Sequence, residues 1–323
     1  MDAPKILVSV LNWNNYPDTL QCIESVLLSD YPNFEILLTD NNSIDGSYEL
    51  LRKKFEDQIH VYRSTRNAGY AGGHFPAMQY AEKFKFDAIW IVNNDLWVHQ
   101  QALSNLVIAF KEKGLGLFGN FILEQDQEKI KFSEGFGLDL KNQIIFDKYN
   151  VLNGLQYSQT ILSPTIIPTA NVHGAGFLLP CKVFRQFGFM DTNFFLYAEE
   201  LDYCFKLLLK YKIPSYIVQS SLIFHRGAGS YLKSPKLKLI EIYYRNRNSN
   251  ILFKKYKKGY KIICPGGFFR MFRLILSYNL KRIFRKEKIT VPYREKYYEY
   301  LAIFHSILRL KMKYFEPNRF IKK

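Results

Sequence analysis

Residues 88–95 read Ala-Ile-Trp-Ile-Val-Asn-Asn-Asp, so five apolar residues lead directly into two amides and a carboxylate. A short apolar run that contains aromatic and β-branched residues is typical of a buried strand. Ligands of open α/β sheets bind just beyond the carboxyl ends of the strands. Asp95 therefore stands where a ligand is expected, and its carboxylate suits a hard divalent cation. A plain polar turn before the next helix is the alternative, because Asn and Asp also favour turns.

The same succession of an apolar strand, a polar turn and a helix occurs three times before residue 88. We predict strands over 5–11, 34–39, 59–62 and 88–92, and helices over 17–29, 48–55, 74–84 and 100–113. Four such alternations with short connections predict an α/β fold with a mostly parallel, doubly wound sheet. The four polar turns are then expected at one edge of that sheet.

Three glycines, Gly69, Gly72 and Gly73, follow the third predicted strand. They do not form the dinucleotide-binding fingerprint, which requires G-x-G-x-x-G directly after the first strand. Two interpretations remain open for them. The segment is either a flexible loop or a backbone that approaches a phosphate or a sugar closely.

The pattern changes in the second half of the chain. Short strands such as 131–138 and 143–149 predict an antiparallel excursion, which is followed by a buried strand at 172–179. A later apolar stretch, 217–224, ends in His225. A single histidine at the end of a strand is more often structural than a ligand, so the interest of His225 depends on its neighbours.

Three carboxylates, Glu199, Glu200 and Asp202, stand at the start of a predicted amphipathic helix. Acidic residues in a first helical turn complement the helix dipole, which is one explanation for them. A positioned carboxylate is also the group that removes a proton from an attacking hydroxyl, which is the other explanation.

Composition limits the class of protein. The chain has 323 residues and is 48% hydrophobic, which is enough for one large domain or two modest ones. Its four cysteines lie far apart, so we expect reduced thiols in a cytoplasmic protein rather than a disulfide framework or a metal site. We also expect neither a signal peptide nor a membrane-spanning helix, because no segment has the required apolar length.

The positive charge is concentrated at the C-terminal end. Residues 241–323 carry 22 Lys/Arg and 5 Asp/Glu, a net charge of +17, whereas the whole chain carries +16. Over 268–285, apolar and basic residues alternate at helical spacing, which is typical of a helix at an anionic membrane surface. A helix packed on the protein body is the alternative. RNA binding by this basic region is a weaker alternative, because acidic residues at the predicted sheet edge would repel phosphates in the absence of a metal ion.

Several motifs stand in a fixed order along the chain. They are Asn12, residues 39–43 (Thr-Asp-Asn-Asn-Ser), 45–47 (Asp-Gly-Ser), 66–73 (Arg-Asn-Ala-Gly-Tyr-Ala-Gly-Gly), 93–95 (Asn-Asn-Asp), Gly174-Ala175, 199–202 (Glu-Glu-Leu-Asp) and His225. Together they resemble the family 2 glycosyltransferases, and in particular the bacterial rhamnosyltransferase-like branch with the GT-A fold. The resemblance covers residues 4–250. It implies a GT-A domain over 1–240 and a basic, aromatic-rich helical region over 241–323.

The resemblance implies roles for individual residues. Glu200 is the expected general base, with Asp202 as the second catalytic candidate, and Asp95 and His225 are the expected ligands of Mg²⁺ or Mn²⁺. The expected donor-binding residues are Asn12, Asp40, Asn42, Arg66, Gly72, Gly73 and Asn94. Asp40 is expected to contact the nucleotide base.

The implied activity is an inverting, metal-dependent transfer from a UDP- or dTDP-linked sugar, with dTDP-rhamnose as one candidate. The expected acceptor is a saccharide or a lipid-linked saccharide in cell-wall or other surface polysaccharide synthesis, at the inner face of the cell membrane and without nucleic acid. A catalytically inactive scaffold that binds nucleotide sugars is the alternative. Three positions depart from the family pattern: Asn93 replaces a carboxylate, His74 replaces an Asn, and Glu200 replaces the usual Asp.

Overall fold

The computed structural model describes residues 3–124, 130–132, 137–139, 144–146, 166–225, 235–256, 267–284 and 291–308. The chain divides into two compact units, of which the first comprises 1–192 and 199–230 and the second comprises 193–198 and 231–323. The sequence-based boundary between residues 240 and 241 falls inside a continuous helix, Pro235–Tyr256. The assignment of a separate function to each region stays a prediction.

The first part of unit 1 has the predicted alternation. Its elements are β1 (Ile6–Asn12), α1 (Tyr16–Leu27), β2 (Phe34–Asp40), α2 (Ser47–Lys54), β3 (His60–Arg63), α3 (Gly69–Lys83), β4 (Ala88–Asn93), β5 (Leu96–Val98) and α4 (Ala102–Lys113). Strands β4, β1, β2 and β3 are neighbours in that order and pair in parallel. Their carboxyl ends therefore lie at one edge, as predicted. Strand β5, which directly follows Asp95, was not predicted.

The second part of unit 1 extends the sheet with strands of both directions. Its elements are β6 (Leu117–Glu124), β7 (Ile130–Phe132), β8 (Gly137–Asp139), β9 (Ile144–Phe146), β10 (Ile166–Thr169), β11 (Gly176–Pro180), α5 (Cys181–Phe187), α6 (Glu199–Tyr211) and β12 (Ser215–His225). The main sheet has the order β10-β12-β6-β11-β4-β1-β2-β3. Strand β11 runs antiparallel to β4, so the segment that enters β11 lies at the carboxyl end of β4.

The predicted antiparallel excursion is found in part. Strand β7 pairs in antiparallel fashion with β6, and β8 pairs in antiparallel fashion with β9. The remaining positions of the predicted strands 131–138 and 143–149 lie outside the described residues.

Strand β4 lies at the centre of the core. Trp90 and Val92 contribute to one hydrophobic cluster, and Ile89 and Ile91 contribute to another, because successive side chains of a strand point to opposite faces. All four side chains are fully buried. The Trp90 indole N–H donates to Asn120 Oδ1 at 3.1 Å, so the one polar atom of this side chain is satisfied.

The described part of the C-terminal region is helical, as predicted. Its helices are α7 (Pro235–Tyr256), α8 (Gly267–Phe284) and α9 (Val291–Leu308), and Met271, Tyr300 and Ile303 form a small buried cluster between α8 and α9. Across the described ranges, no helix combines the length and the apolar character needed to cross a membrane. The three described cysteines, Cys22, Cys181 and Cys204, are buried free thiols, as expected; Cys264 lies outside the described residues.

Candidate functional site

The ends of β1 and β2 are joined by buried hydrogen bonds. Asn12 and Asp40 are opposite each other in the strand register, and both are 0% exposed. The Asn12 amide donates to Asp40 Oδ2 at 2.8 Å, and the Ser43 backbone N–H donates to Asp40 Oδ1 at 2.9 Å. Two of the predicted donor-binding residues therefore fix the turn after β2. Their contact with a nucleotide stays a prediction.

A chain of hydrogen bonds continues this network to β4. Asn94 Nδ2 donates to Thr19 Oγ1 at 2.7 Å, and Thr19 Oγ1 donates to Asn12 Oδ1 at 2.9 Å. The predicted residues Asn94 and Asn12 are thus connected through Thr19, which the sequence analysis did not select. The network holds the carboxyl ends of β4 and β1 and the start of α1 in one arrangement.

Asn41 connects the turn after β2 with the segment after β3. Its amide nitrogen donates to Asn67 Oδ1 and to the Gly69 carbonyl, both at 3.0 Å, and its Oδ1 accepts from the Ala68 N–H at 2.9 Å. Asn42, a predicted donor-binding residue, lies beside it with a left-handed φ of 63° and is half-buried. Asn41 stands in a motif quoted for the family resemblance, yet its structural role depends on contacts distant in sequence.

The glycine-rich segment is helical, whereas the sequence predicted a helix only from residue 74. Helix α3 begins at Gly69. A methyl group built on Gly73 would lie 2.5 Å from Leu11 Cδ1, and one built on Gly72 would lie 2.8 Å from Ala68 Cβ. Both glycines therefore lie in closely packed surroundings, and a side chain at Gly73 would require Leu11 to move. Their predicted contact with a donor sugar is not excluded by that packing and stays a prediction.

The arginine that lies next to Asp40 is Arg63, which the sequence analysis overlooked. Its Nε is 3.9 Å from Asp40 Oδ1, and its Nη1 donates to Glu49 Oε1 at 2.8 Å. The predicted donor-binding residue Arg66 is exposed and follows β3 by three positions. Arg63 is the last residue of β3 and so stands at the expected edge of the sheet. The sequence of this short strand does not indicate which of its side chains lie near Asp40.

His74, which departs from the family pattern, points into the protein. It is 0% exposed and its Nδ1 lies 2.8 Å from Ser9 Oγ, on β1. Burial lowers the pKa of His74 to about 3, so the imidazole is neutral at physiological pH. The observed contact of this side chain is therefore with the sheet.

Asp95 and His225 come together, as predicted, although they are far apart in sequence. Strand β12 pairs with β5 so that His225 is opposite Leu96, the residue after Asp95. His225 Nε2 and Asp95 Oδ1 are 3.6 Å apart, with side chains 12% and 11% exposed. One ion can contact both atoms at about 2 Å.

The two side chains fit a divalent cation as a partial ligand set. Among the residues that the structure describes, no cluster of three or more His, Cys, Asp or Glu side chains could hold a metal ion. Mg²⁺ commonly binds through one or two carboxylates, with water and substrate phosphates completing its coordination. An oxygen and an imidazole nitrogen at this edge therefore suit a cation that arrives with a phosphorylated ligand.

The acidic start of α6 is buried to different degrees. Glu199 is 3% exposed, and its Oε2 has no hydrogen-bond partner among the described residues. Burial and the neighbouring Glu200 raise the pKa of Glu199 well above its usual value. Burial also raises the pKa of Glu200, while the backbone N–H groups of Glu200 and Leu201 oppose that change. Asp202, the second catalytic candidate, is 2% exposed.

Tyr70 lies beside Gly174 at the acidic start of α6, and no sequence motif had marked it as a site residue. Its hydroxyl donates to the Gly174 carbonyl. Burial raises the pKa of Tyr70, and the negative charges of Glu200, Glu199 and Asp95 raise it further. The carboxylates of α6 and of the turn after β4 therefore act on one hydroxyl.

Gly174 lies directly beside this hydroxyl and beside Glu200. A methyl group built on Gly174 would lie 3.5 Å from both Glu200 Cδ and Tyr70 Oη. The family-like pair Gly174-Ala175 thus brings bare backbone next to the proposed base. The Ala175 carbonyl accepts from the Asn93 N–H at 2.8 Å, which fixes this segment to the end of β4.

The buried carboxyl of Glu199 leads to a prediction about stability and pH. Because its pKa is higher in the folded than in the unfolded state, the folded protein binds more protons between the two values, and stability falls as pH rises through that window. In metal-free buffer, Glu199→Gln should raise the melting temperature at pH 8 and have little effect near pH 4. The exposed control Glu56→Gln should change neither value. An identical pH dependence of melting in wild type and Glu199→Gln would contradict this.

Comparison with known proteins assigns one segment of the chain to a family. Residues 7–161 match the family described as "Glycosyl transferase family 2". This chain carries a family 2 glycosyltransferase domain. The family resemblance seen in the motifs is thereby confirmed, while the rhamnosyltransferase-like branch stays a prediction.

Curated relatives of the glycosyltransferase domain have low identity. The low-salt glycan biosynthesis hexosyltransferase Agl10 of Haloferax volcanii is 25% identical over 53% of this chain and 52% of its own length. Glycosyltransferase GlyA of Streptococcus pneumoniae is 23% identical over 66% of this chain and 31% of its own length. The Escherichia coli UDP-Glc:alpha-D-GlcNAc-diphosphoundecaprenol beta-1,3-glucosyltransferase WfaP is 25% identical over 39% of this chain and 49% of its own length. The matches thus span between a third and a half of these relatives.

Solved structures confirm the GT-A fold. The mannosyltransferase PcManGT from Pyrobaculum calidifontis, in complex with GDP-Man and Mn²⁺, has a TM-score of 0.56 at 12% identity and covers 95% of this chain and 87% of its own. GalNAc-T7 with UDP, GalNAc and Mn²⁺ has a TM-score of 0.54 at 13% identity, with 88% and 58% covered. At such low identity the likeness concerns the fold alone.

Proposed function

We propose that the protein is an inverting, metal-dependent glycosyltransferase that transfers a sugar from a nucleoside diphosphate sugar to a saccharide or lipid-linked saccharide. The observation that carries this proposal is the convergence of Asp95, His225 and Glu200 at the carboxyl end of the parallel strands of a family 2 domain. The Asp95 carboxylate is then available to bind a cation, and the Glu200 carboxylate is available to accept a proton.

Glu200 is the proposed general base. The acceptor hydroxyl loses its proton to the Glu200 carboxylate as its oxygen attacks the anomeric carbon, and the bond to the diphosphate breaks. Attack from the side opposite the leaving group inverts that carbon. Burial raises the pKa of Glu200, which makes its carboxylate a stronger base than a solvent-exposed one.

Asp95 and His225 are the proposed holders of Mg²⁺ or Mn²⁺. A bound cation supplies Lewis-acid stabilisation of the charge that develops on the leaving diphosphate. Both side chains are nearly buried, which places them in surroundings where charge interactions are stronger than in water. The Mn²⁺ in the two solved neighbours supports a divalent cation for this chain.

The proposed donor is UDP- or dTDP-linked, with dTDP-rhamnose as one candidate. Asp40 is held by Asn12 and by the Ser43 N–H, and each carboxylate oxygen keeps a second lone pair that can accept from a pyrimidine N3–H. Asn42, Arg66, Gly72, Gly73 and Asn94 complete the proposed donor pocket. The structural neighbours bind GDP-Man and UDP respectively, so the base preference rests on Asp40.

A thermal-shift panel of UDP-, dTDP- and GDP-sugars, each with Mn²⁺ or EDTA, tests the donor and the metal together. A donor at 100 times its dissociation constant should stabilise the protein by about 2.7 kcal/mol. We expect the shift with a UDP- or dTDP-sugar and only with the metal. A shift with GDP-sugars alone would contradict the base choice, and no shift with any sugar nucleotide would contradict the proposed function.

The proposed place of action is an anionic membrane surface, with surface or cell-wall polysaccharide synthesis as the process. Helix α8 exposes Phe272, Leu276 and Leu280, which are 51%, 62% and 46% exposed and recur every four residues, so they share one face. Arg273 is exposed beside them. With the net charge of +17 over 241–323, such a face complements anionic lipids, which attract a nearby Lys or Arg by about 1 kcal/mol each.

Vesicle sedimentation tests the membrane proposal. The double variant Phe272→Glu/Leu276→Glu should lose at least about tenfold in binding to phosphatidylglycerol-containing vesicles, since each apolar side chain contributes about 1.5–3 kcal/mol when buried. The matched control Ile108→Glu alters a residue on α4 that is 60% exposed and should bind like wild type. High salt should release the wild type. Equal sedimentation of the double variant and the wild type would overturn the proposal.

A further inference from the structure

The backbone before α6 has an unusual conformation. Tyr197 and Ala198 have φ values of 68° and 70°, so two successive residues with side chains are in the left-handed region. Such residues are costly and persist only where surrounding contacts hold them. Glu199 follows directly, and Glu200 is the next residue, so this turn sets where the proposed base begins.

The contacts that hold the turn come from α7. Asn248 is 0% exposed, and its amide nitrogen donates to the Leu196 carbonyl at 2.8 Å and to the Tyr197 carbonyl at 2.9 Å. Both amide protons of one side chain are thus directed at the two carbonyls that precede Ala198. A single asparagine fixes the direction of two consecutive peptide groups.

Arg247 supports this asparagine. Its Nη1 donates to Asn248 Oδ1 at 2.5 Å and to the Asn193 carbonyl at 3.3 Å. The side chain is 3% exposed, although it belongs to the basic C-terminal region. A cation buried in this way is removed from the surface where lipids would bind.

Two ring contacts reinforce the arrangement. The guanidinium of Arg245 lies 4.5 Å from the ring centre of Tyr197, and the rings of Phe195 and Tyr244 stack with centroids 5.1 Å apart. All these contacts lie within unit 2, to which residues 193–198 belong. The segment is joined to α6 by the peptide bond between Ala198 and Glu199.

We propose that Arg247 and Asn248 are positioning residues, which hold the segment 193–198 and thereby the start of α6 with Glu199 and Glu200. This inference rests on the proposed function for the role of Glu200. It assigns a second task to the basic C-terminal region. Arg247 orders the turn before the base, while exposed residues of α8 are left for the membrane.

Amide hydrogen exchange of the full-length protein tests the clamp without reference to activity. Asn248→Ala should raise the exchange rate of the amides of 193–200 by at least about tenfold, because one lost hydrogen bond is worth about a factor of ten. The control Asn246→Ala removes an asparagine of the same helix that donates to the Ile242 carbonyl, within α7 itself. It should leave that exchange unchanged. Equal protection in both variants would overturn the proposal.

Arg245→Gln is the variant to use in the hydrogen-exchange experiment if Asn248→Ala does not fold. The Arg245 side chain is 61% exposed, so its loss leaves the core intact while it removes the contact with Tyr197. A smaller increase in exchange at 193–200 is expected than for Asn248→Ala. Unchanged exchange in a folded Arg245→Gln protein would contradict the proposal.

Kinetics separate positioning from general support of the fold. The assay follows release of nucleoside diphosphate, with Mn²⁺, from whichever sugar nucleotide gives the largest thermal shift. Asn248→Ala should lower kcat at least about tenfold with KM for that donor unchanged, and Asn248→Gln, which keeps the amide, should recover part of it. A raised KM with unchanged kcat would overturn the positioning role. If no sugar nucleotide binds, the proposed function fails, and hydrogen exchange still decides whether the clamp exists.

Discussion

Glu200→Gln is expected to lower the turnover number roughly 10²–10⁴-fold without weakening donor binding, because the amide keeps the shape of the side chain but cannot accept the proton of the acceptor. Glu200 lies beside Gly174, where a methyl group would be 3.5 Å from Glu200 Cδ. Because burial already raises the pKa of this carboxyl, its replacement by a neutral amide should not destabilise the fold. Turnover, donor dissociation constant and melting temperature together check the prediction.

Two companion variants sharpen this test. Glu200→Asp restores the residue that the family pattern usually has and should keep part of the activity. Asp202→Asn alters the other catalytic candidate, which is 2% exposed and lies two residues after Glu200 on α6, about 200° around the helix axis. If Asp202→Asn abolished turnover while Glu200→Gln stayed near wild type, Asp202 would be the base.

Asp95→Asn should remove metal-supported donor binding and, with it, transfer. The substitution removes the negative charge that lies beside His225. We expect metal affinity to fall at least about 10–100-fold, because that loss is typical even for residues that only hydrogen-bond to a metal ligand. Nucleotide affinity measured in EDTA should be the same for variant and wild type. Titration calorimetry with UDP, in Mn²⁺ and in EDTA, measures both quantities.

Asp87→Asn is the matched control for this experiment. Asp87 is exposed and precedes β4, whereas Asp95 follows the same strand at its other end. The control should bind metal and nucleotide like wild type. Full transfer in EDTA, with undiminished nucleotide affinity, would show that the enzyme does not use a divalent cation.

The alternation of strands and helices and the polar edge of the sheet could be predicted from local pattern. The apolar run 88–92 becomes β4, and Asp95 follows it at the sheet edge. A buried strand and its polar end are encoded within a few residues, since burial of apolar side chains is the main driving force and a turn needs polar groups. The proximity of His225 to Asp95 was implied by the family resemblance, because a histidine at a strand end has no local feature that marks its partner.

The start of α3 could not be predicted, because glycine has a low intrinsic helix propensity. In the structure, Asn41 holds the Ala68 N–H and the Gly69 carbonyl where this helix begins, and Gly73 packs closely against Leu11. His74 is likewise positioned by Ser9, and Arg63 rather than Arg66 lies beside Asp40. In each case the deciding neighbour is distant in sequence.

The chain by itself determined the α/β alternation, the family motifs and the basic C-terminal region, because each is encoded in neighbouring residues. The tertiary structure alone decided that Tyr70 lies among the acids and that Asn248 holds the turn before Glu199. Both depend on contacts between segments 50 or more residues apart, such as the 51 residues between Asn248 and Tyr197. Such contacts form only when the whole chain packs, since burial and hydrogen bonding between distant segments leave no periodic trace in the sequence.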